Sequence, residues 1–373
     1  MVETDYYEQI RQKLKLGKLY APKHPKVFQL LKLFWNEEEA NVLSQFNSCD
    51  KPTSLKELMK RTGLERDKLK KVLKKPLRKK TITKIGSKYT LLPLVPGIFE
   101  QYFIRRNDTE ENLKKVAEIY RFLFQNFLPS FYIETDFKLF RPRLPLDAKE
   151  KLIKVDETLD VENHVLSYEL IEEIIEENEY FTTVPCQCRL IGELTGDPCE
   201  VASSELGCFL TGIVAKSIID AGGKSMTKDE AIEFIKKTEE AGLVHNCVAD
   251  SSLESSLIIC NCCSCHCGTL ISGKEHKTTA TVPSNFKPQF NDDLCTNCKI
   301  CLNKCPMHAI YHHWPEKEDK SDEHMYIKEE FCIGCGICAA NCPNNAIKLE
   351  KVGNKDFKER HKIGNKSFLQ LLM

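Results

Sequence analysis

No stretch of the 373 residues is a long apolar run; a membrane-spanning helix needs roughly 20 such residues in succession, so a bilayer protein of the helical type is excluded. Net charge is missing too. Lys and Arg number 54 and Asp and Glu number 54, so any basic surface must be local. The first residues, Met1-Val2-Glu3-Thr4-Asp5, are acidic and polar where a secretory leader would be basic and then apolar. No base, nucleophile or nucleotide loop is arranged as a recognisable catalytic motif. Cysteine, by contrast, is abundant, at 19 residues. In a small exported protein that number would suggest disulfides. This chain is long enough for two or three domains and shows no sign of export, so the expected setting is a reducing cytoplasm with the cysteines serving as thiolate ligands.

Eight of the cysteines fall in two copies of one pattern. The first reads Cys295-Thr-Asn-Cys298-Lys-Ile-Cys301-Leu-Asn-Lys-Cys305-Pro306, the second Cys332-Ile-Gly-Cys335-Gly-Ile-Cys338-Ala-Ala-Asn-Cys342-Pro343. Three thiolates at that spacing fit a tight loop around three corners of one iron–sulfur cluster, while the fourth, next to its proline, reaches the other cluster. The expected ligand sets are Cys295, Cys298, Cys301 and Cys342 for one [4Fe-4S] cluster, and Cys332, Cys335, Cys338 and Cys305 for the other. The segment 285–350 resembles the bacterial dicluster ferredoxin, with a strand before Cys295, short strands near Ala309–His312, Met325–Ile327 and Ala346–Leu349, and short helices after Cys301 and Cys338. Two departures stand out. The first run lacks the glycines at Gly334 and Gly336, which predicts a less permissive or more shielded loop, and a polar insertion lies between His312 and His324. Its histidines, with His308 and His313, read as loop residues rather than metal ligands.

Upstream, residues 25–95 show helical apolar spacing at Val27, Leu30, Leu31 and Phe34, then a helix capped by Thr53 or Ser54 and ended by Gly63. A second helix through Leu69, Val72 and Leu73 is expected to break or bend at Pro76. Two β-prone runs meet at Gly86-Ser87. Helix, turn, helix, hairpin resembles a winged helix. Lys68, Lys70, Lys71, Lys74, Lys75, Arg78, Lys79, Lys80, Lys84 and Lys88 give it a basic surface, suited to nucleic acid, to an acidic redox partner, or simply to water.

Residues 96–271 are expected to form a mostly helical central domain. An aromatic-rich stretch includes a helix near Glu111–Phe127 and ends at the extended Arg141-Pro-Arg-Leu-Pro. From Asp156 to Glu179 an amphipathic acidic helix follows, through Val165, Leu166, Leu170, Ile171, Ile174 and Ile175, either solvated or turned toward the basic helix. Ten cysteines then lie between Cys186 and Cys267. Cys208, Cys247 and Cys260 sit beside apolar residues and suit a structural role. Cys186, Cys188, Cys199, Cys262, Cys263, Cys265 and Cys267 are the candidate ligands of a further site. It is expected to be iron–sulfur, with zinc as the alternative and a redox-active Cys262–Cys263 pair, poised by Arg189 or His266, as a third reading.

The segment Tyr180–Gly268, with Pro-Cys-x-Cys-Arg, Asp-Pro-Cys and Cys-Asn-Cys-Cys-x-Cys-His-Cys, resembles the central part of a family of multidomain 4Fe-4S ferredoxin-type proteins of anaerobic microbes. That resemblance implies electron transfer without a settled substrate. The whole reads as an α+β multidomain chain: winged helix, cysteine-rich centre, a linker at 272–284, the dicluster domain, and a basic tail from Lys351 that docks by Phe368, Leu369, Leu371 and Leu372 or frays. The expected function is an electron carrier or electron-transfer subunit with redox-protein partners. The alternatives are a redox-sensing DNA-binding regulator and, last, an enzyme with an open cluster site.

Overall fold

The computed structural model describes residues 5–153, 169–248, 257–278, 280–314 and 323–353. They form two compact units, one made of residues 5–127 with Leu190–Pro198, the other of the described parts of Leu128–Arg189 and Cys199–His361. Residues 315–322 of the polar insertion, the tail from 354, and Val165 and Leu166 of the expected acidic helix lie outside the described residues. Among the described residues no helix is long and apolar enough to cross a membrane.

The first unit is mostly helical: α1 (Tyr6–Lys13), α2 (Pro25–Phe34), α3 (Glu37–Ser44), α4 (Leu55–Thr62), α5 (Arg66–Arg78), α6 (Phe99–Arg105) and α7 (Glu110–Asn126). Local chemistry sets the ends. Ser54 caps α4 reciprocally with Glu57, and Gly63, in the left-handed region at φ 71°, stops it. Helix α5 runs on through Pro76 to Arg78, losing only the one hydrogen bond that the proline cannot donate. The short strands β1 (Thr53–Ser54), β2 (Ile82–Ile85) and β3 (Lys88–Leu91) pair in the order β1-β3-β2, with Gly86 at φ 58° in the turn. The unit continues past residue 95, where a boundary was expected, because the aromatics of α6 and α7 complete its core. Phe34 meets the Tyr102 ring edge-on at 5.1 Å, and the Trp35 indole N–H donates to Thr81 Oγ1 at 2.8 Å.

The second unit corrects the expectation of a mostly helical centre. Strands β4 (Phe140–Pro142), β5 (Phe181–Val184), β6 (Cys208–Thr211), β7 (Val244–Val248) and β8 (Ile258–Cys262) build an antiparallel five-stranded sheet in the order β4-β7-β8-β6-β5. The strands are short, and cysteine and asparagine occupy alternate positions, which hides the period of two. One face carries Phe181, Phe209, Cys247 and Ile259 against Ile171, Ile174 and Ile175 of α10 (Ile171–Glu176) and Ala231 and Ile235 of α13 (Lys228–Glu240). The other face carries Cys208, Cys260 and Cys262, since β-strand side chains alternate. The glutamates of α10 find partners within the unit, Glu172 with Lys149 at 3.3 Å and Glu176 with Lys228. Helices α8 (Leu128–Thr135), α9 (Ala148–Lys151), α12 (Gly212–Asp220) and α14 (Gly268–His276) complete this region, which also holds the first three residues of α11 (Gln187–Leu194).

The stretch 272–284, expected as a linker, is tied down. It holds the end of α14, then bonds to β4: the Leu139 and Phe140 amides donate to the Ala280 carbonyl, and the Val282 amide to Phe140. Beyond it, β9 (Phe286–Phe290) pairs with β12 (Ile347–Lys351) and β10 (Ile310–His313) with β11 (His324–Ile327), around α15 (Ile300–Lys304) and α16 (Ile337–Ala340). The core of this module takes in Leu144, Ala148 and Leu170 beside Phe286, Ile310, Ile347 and Leu349. Module and sheet therefore share one unit.

Candidate metal centres

The two cysteine runs adopt the same backbone. Gly334 and Gly336 lie at φ 65° and 74°, and the matching positions of the first run, Asn297 and Lys299, lie at φ 50° and 62°. The missing glycines thus leave the loop path unchanged; asparagine and lysine accept the left-handed conformation, at a cost of about 1–2 kcal/mol each. The correspondence extends past the prolines. His308 and Asn345 both have φ 51°, and the amides of Ala309 and Ala346 donate to the sulfurs of Cys305 and Cys342 at 3.2 and 3.3 Å. The Gly334 amide similarly donates to Cys332 Sγ at 3.3 Å.

Cys342 is a neighbour of Cys301 in the first run, and Cys305 a neighbour of Cys332, Cys335 and Cys338 in the second. Burial pushes the Cys301 thiol up to about 11, helped by the neighbouring thiols of Cys295, Cys298 and Cys342. Burial also raises Cys332, Cys335 and Cys338, and in each case Cys305 is among the neighbours that add to it. Eight thiols in two neighbouring runs, with backbone N–H donors aimed at three of the sulfurs, form a donor set suited to iron–sulfur clusters. The histidines of the adjoining hairpin are occupied locally. His312 Nε2 lies 2.8 Å from Glu323 Oε1, and the rings of His313 and His324 stack at 4.9 Å.

The central cysteines separate into groups that their order in the chain does not suggest. Cys199, Cys263, Cys265 and His266 place their donor atoms all within 4.8 Å of one another. Cys199 Sγ and Cys265 Sγ are 3.1 Å apart, and the His266 amide donates to Cys263 Sγ at 3.3 Å. Cys186 and Cys188, at the start of α11, share a hydrogen bond that lowers the first thiol and raises the second, and Cys188 also feels the thiols of Cys267 and Cys262. Cys262 is pulled well down by the neighbouring thiols of Cys260 and Cys267. Cys208 Sγ lies 3.7 Å from Cys260 Sγ, so these two sit together on the thiol face of the sheet, and Cys260 also has the apolar packing expected of it. Cys247 does pack in the apolar core.

Two residues that the sequence offered only as modulators of a thiol pair take other places. His266 joins the donor set; its only signal was its place directly after Cys263-Ser-Cys265. Arg189 is fully buried and its guanidinium is pinned by three carbonyls, Nε to Ser203 at 3.0 Å, Nη1 to Asn261 at 2.9 Å and Nη2 to Leu206. The Cys263 sulfur is a close neighbour of the guanidinium. The thiol face also meets the dicluster module directly, because Val244, Cys262, Cys267 and Leu270 share an apolar cluster with Ile333 and Ile337, and Cys260 and Cys335 pack against it.

Among known families, residues 294–346 match the model of the 4Fe-4S dicluster domain. That match implies two [4Fe-4S] clusters near the C-terminus. Comparison with curated proteins and with solved structures gave no match.

Proposed function

We propose that the protein is an iron–sulfur electron-transfer protein, a carrier or a subunit of a redox complex, in which Cys295, Cys298, Cys301 and Cys342 hold one [4Fe-4S] cluster and Cys332, Cys335, Cys338 and Cys305 the other. The observation that carries this is the crossed grouping: Cys342 neighbours Cys301, and Cys305 neighbours Cys332, Cys335 and Cys338. Bound clusters supply reversible one-electron storage, and the protein's part is to tune them through burial and N–H···S bonds. A further cluster on Cys186, Cys188, Cys262 and Cys267 extends the path. Its support is the apolar cluster that Cys262 and Cys267 share with Ile333 and Ile337, against which Cys335 packs. The partner is a redox protein.

Anaerobic iron and sulfide analysis of the reconstituted full chain tests this, with about twelve irons expected, eight of them from the dicluster module. Fewer than about eight after full reconstitution contradicts it.

A second reading rests on a separate observation. Helices α4 and α5 with the β2–β3 hairpin have the order and pairing of a winged helix, and Lys68, Lys70, Lys71, Lys74, Arg78, Lys84 and Lys88 are exposed on it. A cluster-regulated DNA-binding protein would use that surface. It predicts a gel shift that depends on both DNA sequence and cluster state; indifference to DNA at physiological salt removes it.

A further inference from the structure

The pair Cys262-Cys263 is consecutive, yet its two thiols serve different places. Cys262 ends β8 and turns to the buried thiol face, where Cys260 and Cys267 are its partners. Cys263 opens the following turn and faces Cys199, Cys265 and His266. The division follows from strand alternation: adjacent residues leave a strand on opposite sides.

We infer that Cys199, Cys263, Cys265 and His266 form a closed, single-ion zinc site, separate from any iron–sulfur cluster. Size decides the nuclearity. Four ligands around one tetrahedral Zn²⁺, with Zn–S about 2.3 Å and Zn–N about 2.0 Å, lie roughly 3.5–3.8 Å from one another. A cubane instead attaches each protein ligand to a different iron, with sulfides between, and spreads the ligands wider. Convergence of all four donor atoms within 4.8 Å admits one ion and leaves no room for a four-iron core. Three thiolates and one imidazole also match the Cys₃His composition of structural zinc sites, with no coordination position left for water or substrate.

Charge and surroundings agree. Three thiolates and a dication leave one net negative charge, and the buried Arg189, a neighbour of Cys263, carries the compensating positive charge. The His266 amide on Cys263 Sγ supplies the N–H···S bond that orients the ligand. Cys199 comes from the loop preceding β6 and the other three from the turn after β8. One ion therefore clamps two segments 64 residues or more apart in the chain, Cys199 and Cys263 being the nearest pair. It also ties down Cys265, which is exposed and otherwise open to oxidation.

The inference does not depend on the electron-transfer reading, and zinc and iron are counted separately. Metal analysis of the anaerobically purified full chain is expected to find about one zinc per chain. Cys199→Ser and His266→Ala should each reduce it to a small fraction, while the dicluster iron content and reduced-state signals stay as in the parent and report that the unit is folded. His266→Cys should keep zinc, since a fourth thiolate serves as well. Replacing zinc with Co²⁺ should give the intense visible absorption of a tetrahedral cobalt thiolate. Iron in place of zinc, an ion lost in none of the variants, or a chain with no metal at these residues would each overturn the inference.

Discussion

The dicluster module and the central sheet both gather cysteines, but they do so in opposite ways. In the module each proposed ligand set takes three cysteines within seven residues of one run, as in Cys295–Cys301, plus a single cysteine from the other run. The backbone of that run is its own template, with left-handed residues at fixed positions and N–H groups turned to sulfur. In the centre the donors come from α11, a loop, β6, β8 and the turn after it, and only the assembled sheet brings them together. A contiguous run can tolerate sequence change between its cysteines, as Asn297 and Lys299 illustrate. A dispersed site depends on every contact that aligns its segments.

The sharpest break in the comparison comes from removing ligands. Cys342→Ala should abolish the same cluster as Cys298→Ala, about four irons, and leave the one lost in Cys335→Ala; anaerobic iron counts with low-temperature EPR of the three variants check the crossing. Next, Arg189→Gln should weaken central metal binding by about 10–100-fold with the dicluster untouched, as measured by competition with a chelator. Glycine positions then separate the two regions by stability. A Cβ at Gly207 would run into the Val184 carbonyl and the Cys186 amide, and one at Gly334 into the Phe286 carbonyl and the Ser284 hydroxyl. Gly207→Ala and Gly334→Ala should each cost about 1–3 kcal/mol in denaturant titration, the first loosening the central metals and the second the cluster at Cys332 and Cys335. In the other direction, Asn297→Gly should stabilise the first loop by up to about 1 kcal/mol with the iron content unchanged. The smallest effect is expected at Lys71→Glu and Lys74→Glu. Folding stability should stay within about 0.5 kcal/mol, and any binding to duplex DNA should lose about one unit of salt-dependence slope per lysine.

The module was legible because its ligands, strands and helices follow one another locally; β9, β10, β11 and β12 lie within a residue or two of their expected places. The centre was legible only as a set of cysteines. Residues as far apart as Cys199 and Cys265 meet through sheet pairing, which no local pattern encodes. His266 looked like a modulator because one histidine among cysteines carries no spacing signal. Cys208 and Cys260 looked apolar from their neighbours; Cys260 does pack against an apolar cluster, but the two sulfurs also lie together on the thiol face. In the first unit, the lysine-rich helix read as uniformly basic surface. Lys79 is instead 2% exposed and pairs with Asp108 at 2.5 Å, a contact with a residue beyond the hairpin that periodicity could not foresee.

The central claim, two crossed [4Fe-4S] clusters working in electron transfer, is tested most directly by reductive titration of the fully reconstituted chain, followed by EPR with iron and sulfide counted on the same sample. The account predicts at least two one-electron centres at low potential and about eight irons that disappear when Cys301 and Cys338 are both replaced. A chain that binds fewer than about eight irons, or whose irons survive that double replacement, would contradict it.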